Sequence, residues 1–288
     1  MAGGSQRVYL GYRAAAALLQ LLPRRAATAL GVLVGTAWWA ASPTRRRVVQ
    51  DNLTHVTPAA SGALVRRAFR SYARYWVDGA TIDLADHARF AADFVLRGEQ
   101  HLTGPLGEGR GVILALPHLG SWEIGGMYGL SIGHPLIAVA EVLEPPELFA
   151  FFVAERRRIG LEVVPADAGA LGALLPRLRS GAIVALVADR VVRGEGVAVE
   201  FFGARTTFPG GPALLALRSG AALVPCAIYQ RPHGRFEASA RPELEVAREG
   251  GIREDVARLT GALAREFEEL VAAAPEQWHA FQAEWPQQ

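Results

Sequence analysis

GVILALPHLGSWE, residues 111–123, is the stretch on which the reading of this fold turns. Gly111–Pro117 is continuously apolar, so the strand it forms is buried on both faces, as strands of parallel sheets are. Ser121 then serves as the N-cap of a helix, and Glu123 sits two positions later, where the helix dipole favours a carboxylate. His118 falls between the two elements, at the carboxyl end of a strand, where open α/β sheets collect their ligands.

The alternation continues outward from there. DFVLRG (93–98) reads as a strand before it, and a helical period runs from Ser61 to about Asp86 through Leu64, Val65, Ala68, Phe69, Tyr72, Tyr75 and Trp76. After it come a strand PLIAVAEV (135–142), a helix from Pro145 to about Ile159 and a strand LEVVPA (161–166). A helix up to Ser180 and the apolar strand AIVALVA (182–188) follow, then the strand VAVEFF (197–202). FPGGP (208–212) opens a helix with proline in its first turn and Gly220 as its stop. ALVPCAIYQ (222–230) and RFEASA (235–240) form a closing pair of strands around PHG, ahead of a long amphipathic helix (251–274). The fold class is therefore α/β: a central, mostly parallel mixed sheet flanked by helices on both faces.

Composition fits one large domain with a helical extension, since 51% of the 288 residues are hydrophobic. The single cysteine, Cys226, lies in the apolar run AALVPCAIY and reads as a buried thiol, which excludes a disulfide framework or a multi-cysteine metal site. Every basic side chain besides histidine is arginine; the absence of lysine excludes P-loop and Schiff-base chemistry. The net charge of +2 hides an asymmetry: the first 50 residues carry seven arginines and no acid. That basic arm suits an anionic surface. It holds the apolar stretches AAAALLQLLP (14–23) and AATALGVLVGTAWWAAS (26–42), and Ala26 to Thr44 is uncharged over 19 residues. That length barely reaches the roughly 20 residues of a bilayer span, and arginines flank both ends, so helices lying in the interface are expected ahead of ordinary core helices or a true span. Trp38 and Trp39 suit the headgroup region, and no small-residue cleavage site follows the first run. Residues 1–58 form this membrane-associating arm and 59–288 the α/β domain, packed as one unit.

His118 and Glu123 are five apart, about 140° around a helix, so they meet only if His118 lies in the loop and Glu123 in the first helical turn. A neutral imidazole there can take the proton of an alcohol as its oxygen attacks a thioester, with an acid fixing the tautomer. Backbone N–H groups around Gly120 and Ser121 are placed to hold the oxyanion. Asp189, at the end of AIVALVA and on the same sheet edge, is the other candidate acid; Glu200 is a third. Arg190 suits a phosphate or anionic headgroup, or an ion pair with a neighbouring acid. Arg156, Arg157 and Arg158 read as a solvated helix face or as ligands of a donor's phosphates. Phe149, Phe151, Phe152, Phe201 and Phe202 read as core or as the wall of an acyl tunnel. His55, His87, His101, His134, His233 and His279 show no metal-ligand spacing, and no nucleophile elbow or zinc motif occurs.

PHLGSWE (117–123) resembles the H-x4-D/E motif of the bacterial acyltransferases that acylate lipid A or phosphatidylinositol mannosides. RRRVVQDNL (45–53) is similar to that family's arginine-rich segment with Asn-Leu. ADR (188–190), EFFG (200–203) and FPGGPALLALRSGAALVPCAIY (208–229) resemble its second half, and PEQWHAFQAEW (275–285) the tryptophan-rich ending of its actinobacterial mannoside enzymes. The resemblance runs from about Tyr9 to Trp285. It implies a peripheral enzyme on the cytoplasmic face of the inner membrane that moves a fatty acyl chain from a thioester to a glycolipid hydroxyl. His118 would be the base, with Glu123 or Asp189 beside it, and Gly120, Ser121, Trp122, Arg190, Glu200, Phe201 and Phe202 would bind substrate. Acyl-CoA is the implied donor in the actinobacterial branch and acyl carrier protein in many lipid A enzymes; no metal, redox cofactor or nucleic acid is implied. A thioesterase, or a silent lipid-binding protein on the same scaffold, are the readings from other classes.

Overall fold

The computed structural model describes residues 2–81, 92–131, 136–142, 145–158, 160–192 and 194–285. The expected continuation of the Ser61 helix to Asp86, with His87, His134 and Ile159, lies outside these residues.

The strands among the described residues are β1 (Phe94–Arg97), β2 (Val112–Leu116), β3 (Leu136–Ala140), β4 (Glu162–Pro165), β5 (Ile183–Val187), β6 (Val197–Phe201), β7 (Ala204–Phe208), β8 (Ala222–Gln230) and β9 (Phe236–Ala240), and all but β6 and β7 form one sheet. Their order is β1-β9-β8-β2-β5-β3-β4, and every neighbouring pair is parallel except β8 with β9, which close as a hairpin. β2 is buried along its whole length, as its unbroken apolar run requires. All nine residues of β8 are buried too, and β8 continues past the end of β2. The strand expected at 197–202 does not join this sheet. It pairs antiparallel with Ala204–Phe208 as a separate hairpin, because Phe202 and Gly203 turn the chain through positive φ. That hairpin packs on the long helix Ile252–Ala272.

The basic arm is helical: Ala2–Gln20, Arg24–Ala41 and Pro43–Val56. Its second helix crosses the helix Gly62–Thr81 closely through Ala27, Gly31 and Gly35, a buried stripe of small residues at four-residue spacing. A Cβ on Gly35 would lie 2.7 Å from the Phe69 carbonyl oxygen, so glycine is required there. Trp38 does not face outward to headgroups as expected. It packs on Phe69 and Phe281, with ring centroids 4.6 and 4.9 Å away, because the Gly31–Gly35 contact turns that face of the helix onto the body. Trp39 lies under the guanidinium groups of Arg46 and Arg66. The opposite face exposes Leu30, Leu33 and Val34, and the first helix exposes Leu10 and Leu18. Among the described residues, no helix is long and apolar enough to cross a membrane.

Candidate active site

Two adjacent parallel strands bring the two principal side chains together. His118 follows β2 and Asp189 follows β5, so both stand at the carboxyl edge of the sheet. Asp189 Oδ1 lies 2.5 Å from His118 Nδ1, and Oδ2 accepts from the His118 backbone N–H and from Trp278 Nε1, both at 2.9 Å. Burial alone would raise the Asp189 pKa, but the His118 imidazole and the Trp278 and backbone N–H donors outweigh it and hold the carboxyl below its usual range. An ionised carboxylate only accepts, so Nδ1 carries the proton. Nε2, on the far edge of the ring, is then the basic nitrogen offered to the cavity that His118 lines.

The loop between them is clamped from two sides. Gly120 and Ser121 donate their backbone N–H groups to the carbonyls of Gln277 and Ile228, at 2.9 and 3.0 Å. The His279 N–H closes the clamp on the His118 carbonyl at 2.7 Å. Gly120 has φ +62°, and a Cβ there would lie 1.9 Å from the Ile228 oxygen, so no other residue fits. The clamp corrects one expectation: the Gly120 and Ser121 amides are consumed inside the fold and are not offered to an oxyanion. The amides of Trp122 and Glu123 replace them as candidates, since a first-turn N–H has no acceptor within its helix, Trp122–Ser131.

Glu123 does lie in the first turn of that helix, and His118 in the loop, yet its carboxylate engages other partners. It accepts from Tyr75 Oη at 3.0 Å and pairs with Arg156 at 2.6 Å. The clamped loop starts the helix against Gly62–Thr81, which turns the Glu123 side chain toward Tyr75. Burial, followed by the Glu123 charge, pushes the Tyr75 hydroxyl well above the ordinary phenol range, leaving it a donor. Arg156 is thus no part of a solvated face. It lines the same cavity as His118 and Glu123.

That cavity has a volume of about 510 Å³. Its floor crosses β1, β9, β8, β2, β5 and β3 at Leu96, Ala238, Ile228, Leu114, Ala185 and Ala138, and its roof includes Trp122, Gly125 and Gly126. Five strand spacings of about 4.8 Å make this floor about 24 Å long, the dimension of an extended fatty chain. Arg190 and Phe152 also line it. Among the described residues no cluster of histidine, cysteine or acidic side chains is arranged to hold a metal ion.

Residues 6–287 match the family of bacterial lipid A biosynthesis acyltransferases. The chain belongs to that family. It is 35% identical over 289 residues to a phosphatidylinositol mannoside acyltransferase of Mycolicibacterium smegmatis, covering 98% of this chain and 92% of that one. A protein of the same name from Mycobacterium tuberculosis is 36% identical over 236 residues, 80% of this chain and 73% of its own. A lipid A biosynthesis acyltransferase of Haemophilus influenzae is 23% identical over 194 residues, 67% of this chain and 58% of its own.

The motifs that carry the family resemblance meet in space. Leu119 bridges Trp278, so the PEQWH ending runs antiparallel beside PHLGSWE. Asn52, from the arginine-rich segment, donates to the carbonyls of Ala280 and Gln282 and holds that ending in place. Other expected site residues lie elsewhere. Ser121 is buried with its hydroxyl between Asp78 and Gln230. Glu200 is exposed opposite Arg205 on the separate hairpin, Phe201 is core packing against Trp278 and Phe208, and Phe202 packs beside it. Alternation along that hairpin sends Glu200 to solvent and Phe201 inward, so neither reaches the cavity. Tyr75, Trp278 and His279 join the site although no local pattern in the sequence points to them there. Helical periodicity marked Tyr75 as core, and His279 had no ligand spacing to mark it.

Proposed function

We propose that this protein is a peripheral membrane O-acyltransferase that moves a long acyl chain from acyl-CoA to a hydroxyl of a phosphatidylinositol mannoside. The observation that carries this reading is the His118–Asp189 pair on the edge of a long, mostly apolar cavity. The named substrate comes from the relatives with 35% and 36% identity. The exposed leucines of the two N-terminal helices, with the arginines between them, support contact with an anionic lipid surface.

In the proposed reaction, His118 Nε2 takes the acceptor hydroxyl proton while the oxygen attacks the thioester carbonyl. Asp189 holds the tautomer and stabilises the imidazolium that forms. First-turn amides at Trp122 and Glu123 face the developing oxyanion. Collapse of the tetrahedral intermediate breaks the C–S bond, and the leaving thiolate recovers the proton from His118. Arg190 suits a phosphate of donor or acceptor.

The test is transfer of labelled palmitate from palmitoyl-CoA to phosphatidylinositol mannoside, with wild type beside His118→Ala. Labelled glycolipid from wild type alone is the expected result. Free palmitate undiminished by acceptor would establish a thioesterase instead, and full transfer by His118→Ala would refute the assigned base.

A further inference from the structure

Beneath the catalytic loop, a chain of buried polar side chains runs from Asp78 to His279, and each of its protons can be assigned. Gln230 Nε2 lies 3.2 Å from the Ser71 backbone oxygen, which only accepts, so the amide nitrogen must face it. Gln230 Oε1 therefore faces Ser71 Oγ at 3.2 Å and accepts its proton. Ser71 Oγ is left to accept from His279 Nε2, 3.1 Å away. At the other end Gln230 Nε2 donates to Ser121 Oγ at 3.0 Å, and that hydroxyl donates to Asp78 Oδ2 at 3.1 Å. The reverse assignment, with the Ser71 proton on His279 Nε2, would leave two buried groups unpaired among the described residues, Gln230 Oε1 without a donor and the Nδ1–H of His279 without an acceptor, in place of one.

The consequence falls on His279. Its proton sits on Nε2, so Nδ1 presents a bare lone pair. That nitrogen is buried and has no hydrogen-bond partner among the described residues. The ring is 4% exposed, forms part of the cavity wall, and lies among Tyr72, Tyr75 and Trp122. Burial, and then the neighbouring His118, depress its pKa to about 3, so it stays neutral. An orphaned buried acceptor is uncommon in a native fold and points to a partner that arrives later.

We infer that Asp78, Ser121, Gln230 and Ser71 position His279 as the hydrogen-bond acceptor for a second hydroxyl of the acceptor substrate, beside the hydroxyl that His118 deprotonates. The inference rests on the acyltransferase reading above and narrows its acceptor to a polyol: a sugar ring carries a neighbouring O–H donor, whereas a single-hydroxyl lysophospholipid does not. Asp78, Ser71 and Gln230 are positioning residues that touch no substrate.

The first test uses the full chain without substrate. Nitrogen-15 NMR of histidine-labelled protein is expected to show His279 as the neutral Nε2–H tautomer, and Ser71→Ala is expected to remove that preference. An Nδ1–H tautomer in wild type would overturn the inference. The second test is kinetic, with palmitoyl-CoA as donor. His279→Gln keeps an amide near Ser71 but nothing at Nδ1, and is expected to raise KM for phosphatidylinositol mannoside about tenfold, the weight of one hydrogen bond, with KM for palmitoyl-CoA unchanged. His279→Asn, whose amide reaches the Nδ1 position, is expected to recover most of that loss. An unchanged acceptor KM in His279→Gln, or equal rises for donor and acceptor, would refute the assignment. Wild-type protein that transfers to no glycolipid would instead defeat the acyltransferase reading, and the tautomer measurement would stand apart from that failure.

Discussion

Replacing Asp189 by asparagine tests the catalytic reading most sharply, because the geometry dictates how the new amide must sit. Oδ2 accepts two N–H donors, from the His118 backbone and from Trp278, while Oδ1 faces only His118 Nδ1. The single oxygen of asparagine therefore takes the Oδ2 position, where an NH2 would confront two donors. Its NH2 then faces Nδ1, which must become an acceptor, and the imidazole proton moves to Nε2. The base is thereby lost with almost no change of shape. In serine-protease triads the same error of tautomer costs about 10⁴-fold in kcat. The expected loss here is on the order of 10³ to 10⁴, or about 4–5.5 kcal/mol of barrier. Retention of the backbone and Trp278 hydrogen bonds should leave Tm within a few degrees of wild type. The assay is the initial rate of labelled palmitate transfer at saturating acceptor, with Tm measured on the same preparations. A folded Asp189→Asn protein within tenfold of wild type would refute the reasoning. Glu123→Gln provides the contrast: it leaves the His118–Asp189 pair intact while weakening the bond to Arg156, so its loss of rate should be at least tenfold smaller.

Three further outcomes follow from the packing and charge of the fold. Burial, then the charge of Asp189, raises the half-buried Glu284 carboxyl to about 8 against the opposing Arg190, so the folded state holds a proton that the unfolded state has released. Stability should fall as pH rises from about 4.5 to about 8, and Glu284→Gln should flatten that slope and stabilise by roughly 2 kcal/mol at pH 7; a denaturant titration with an unchanged slope would contradict it. Gly35→Val drives a side chain into the Phe69 carbonyl and should destabilise by about 1–3 kcal/mol, read as a Tm lower by several degrees. Burial pushes the Cys226 thiol up to about 12, so a thiol reagent should label it only after unfolding; rapid labelling of native protein would show the core description wrong there.

How much of this was legible in the amino-acid sequence depended on the range of the interaction involved. The buried strand Gly111–Pro117, the helix after it, and the Pro212 and Gly220 boundaries of a later helix are local matters of periodicity and capping, and they read directly. The position of His118 was readable too, because a residue just after a buried parallel strand stands on the carboxyl edge of the sheet, where such folds bind ligands. Its acid was not. Glu123 is five residues away in sequence and Asp189 is 71. The register of β2 with β5 sets the second separation in space, whereas the clamp of Gly120 and Ser121 on Gln277 and Ile228 aims Glu123 at Tyr75. His279 was more deeply hidden, since what marks it is an unpaired nitrogen at the end of a relay through Asp78, Ser121, Gln230 and Ser71, four residues scattered along the chain. Local periodicity settles which face of an element is apolar; only strand order and packing decide which polar groups those faces bring within 3 Å of one another, because hydrogen bonding depends on distance in space and not along the chain.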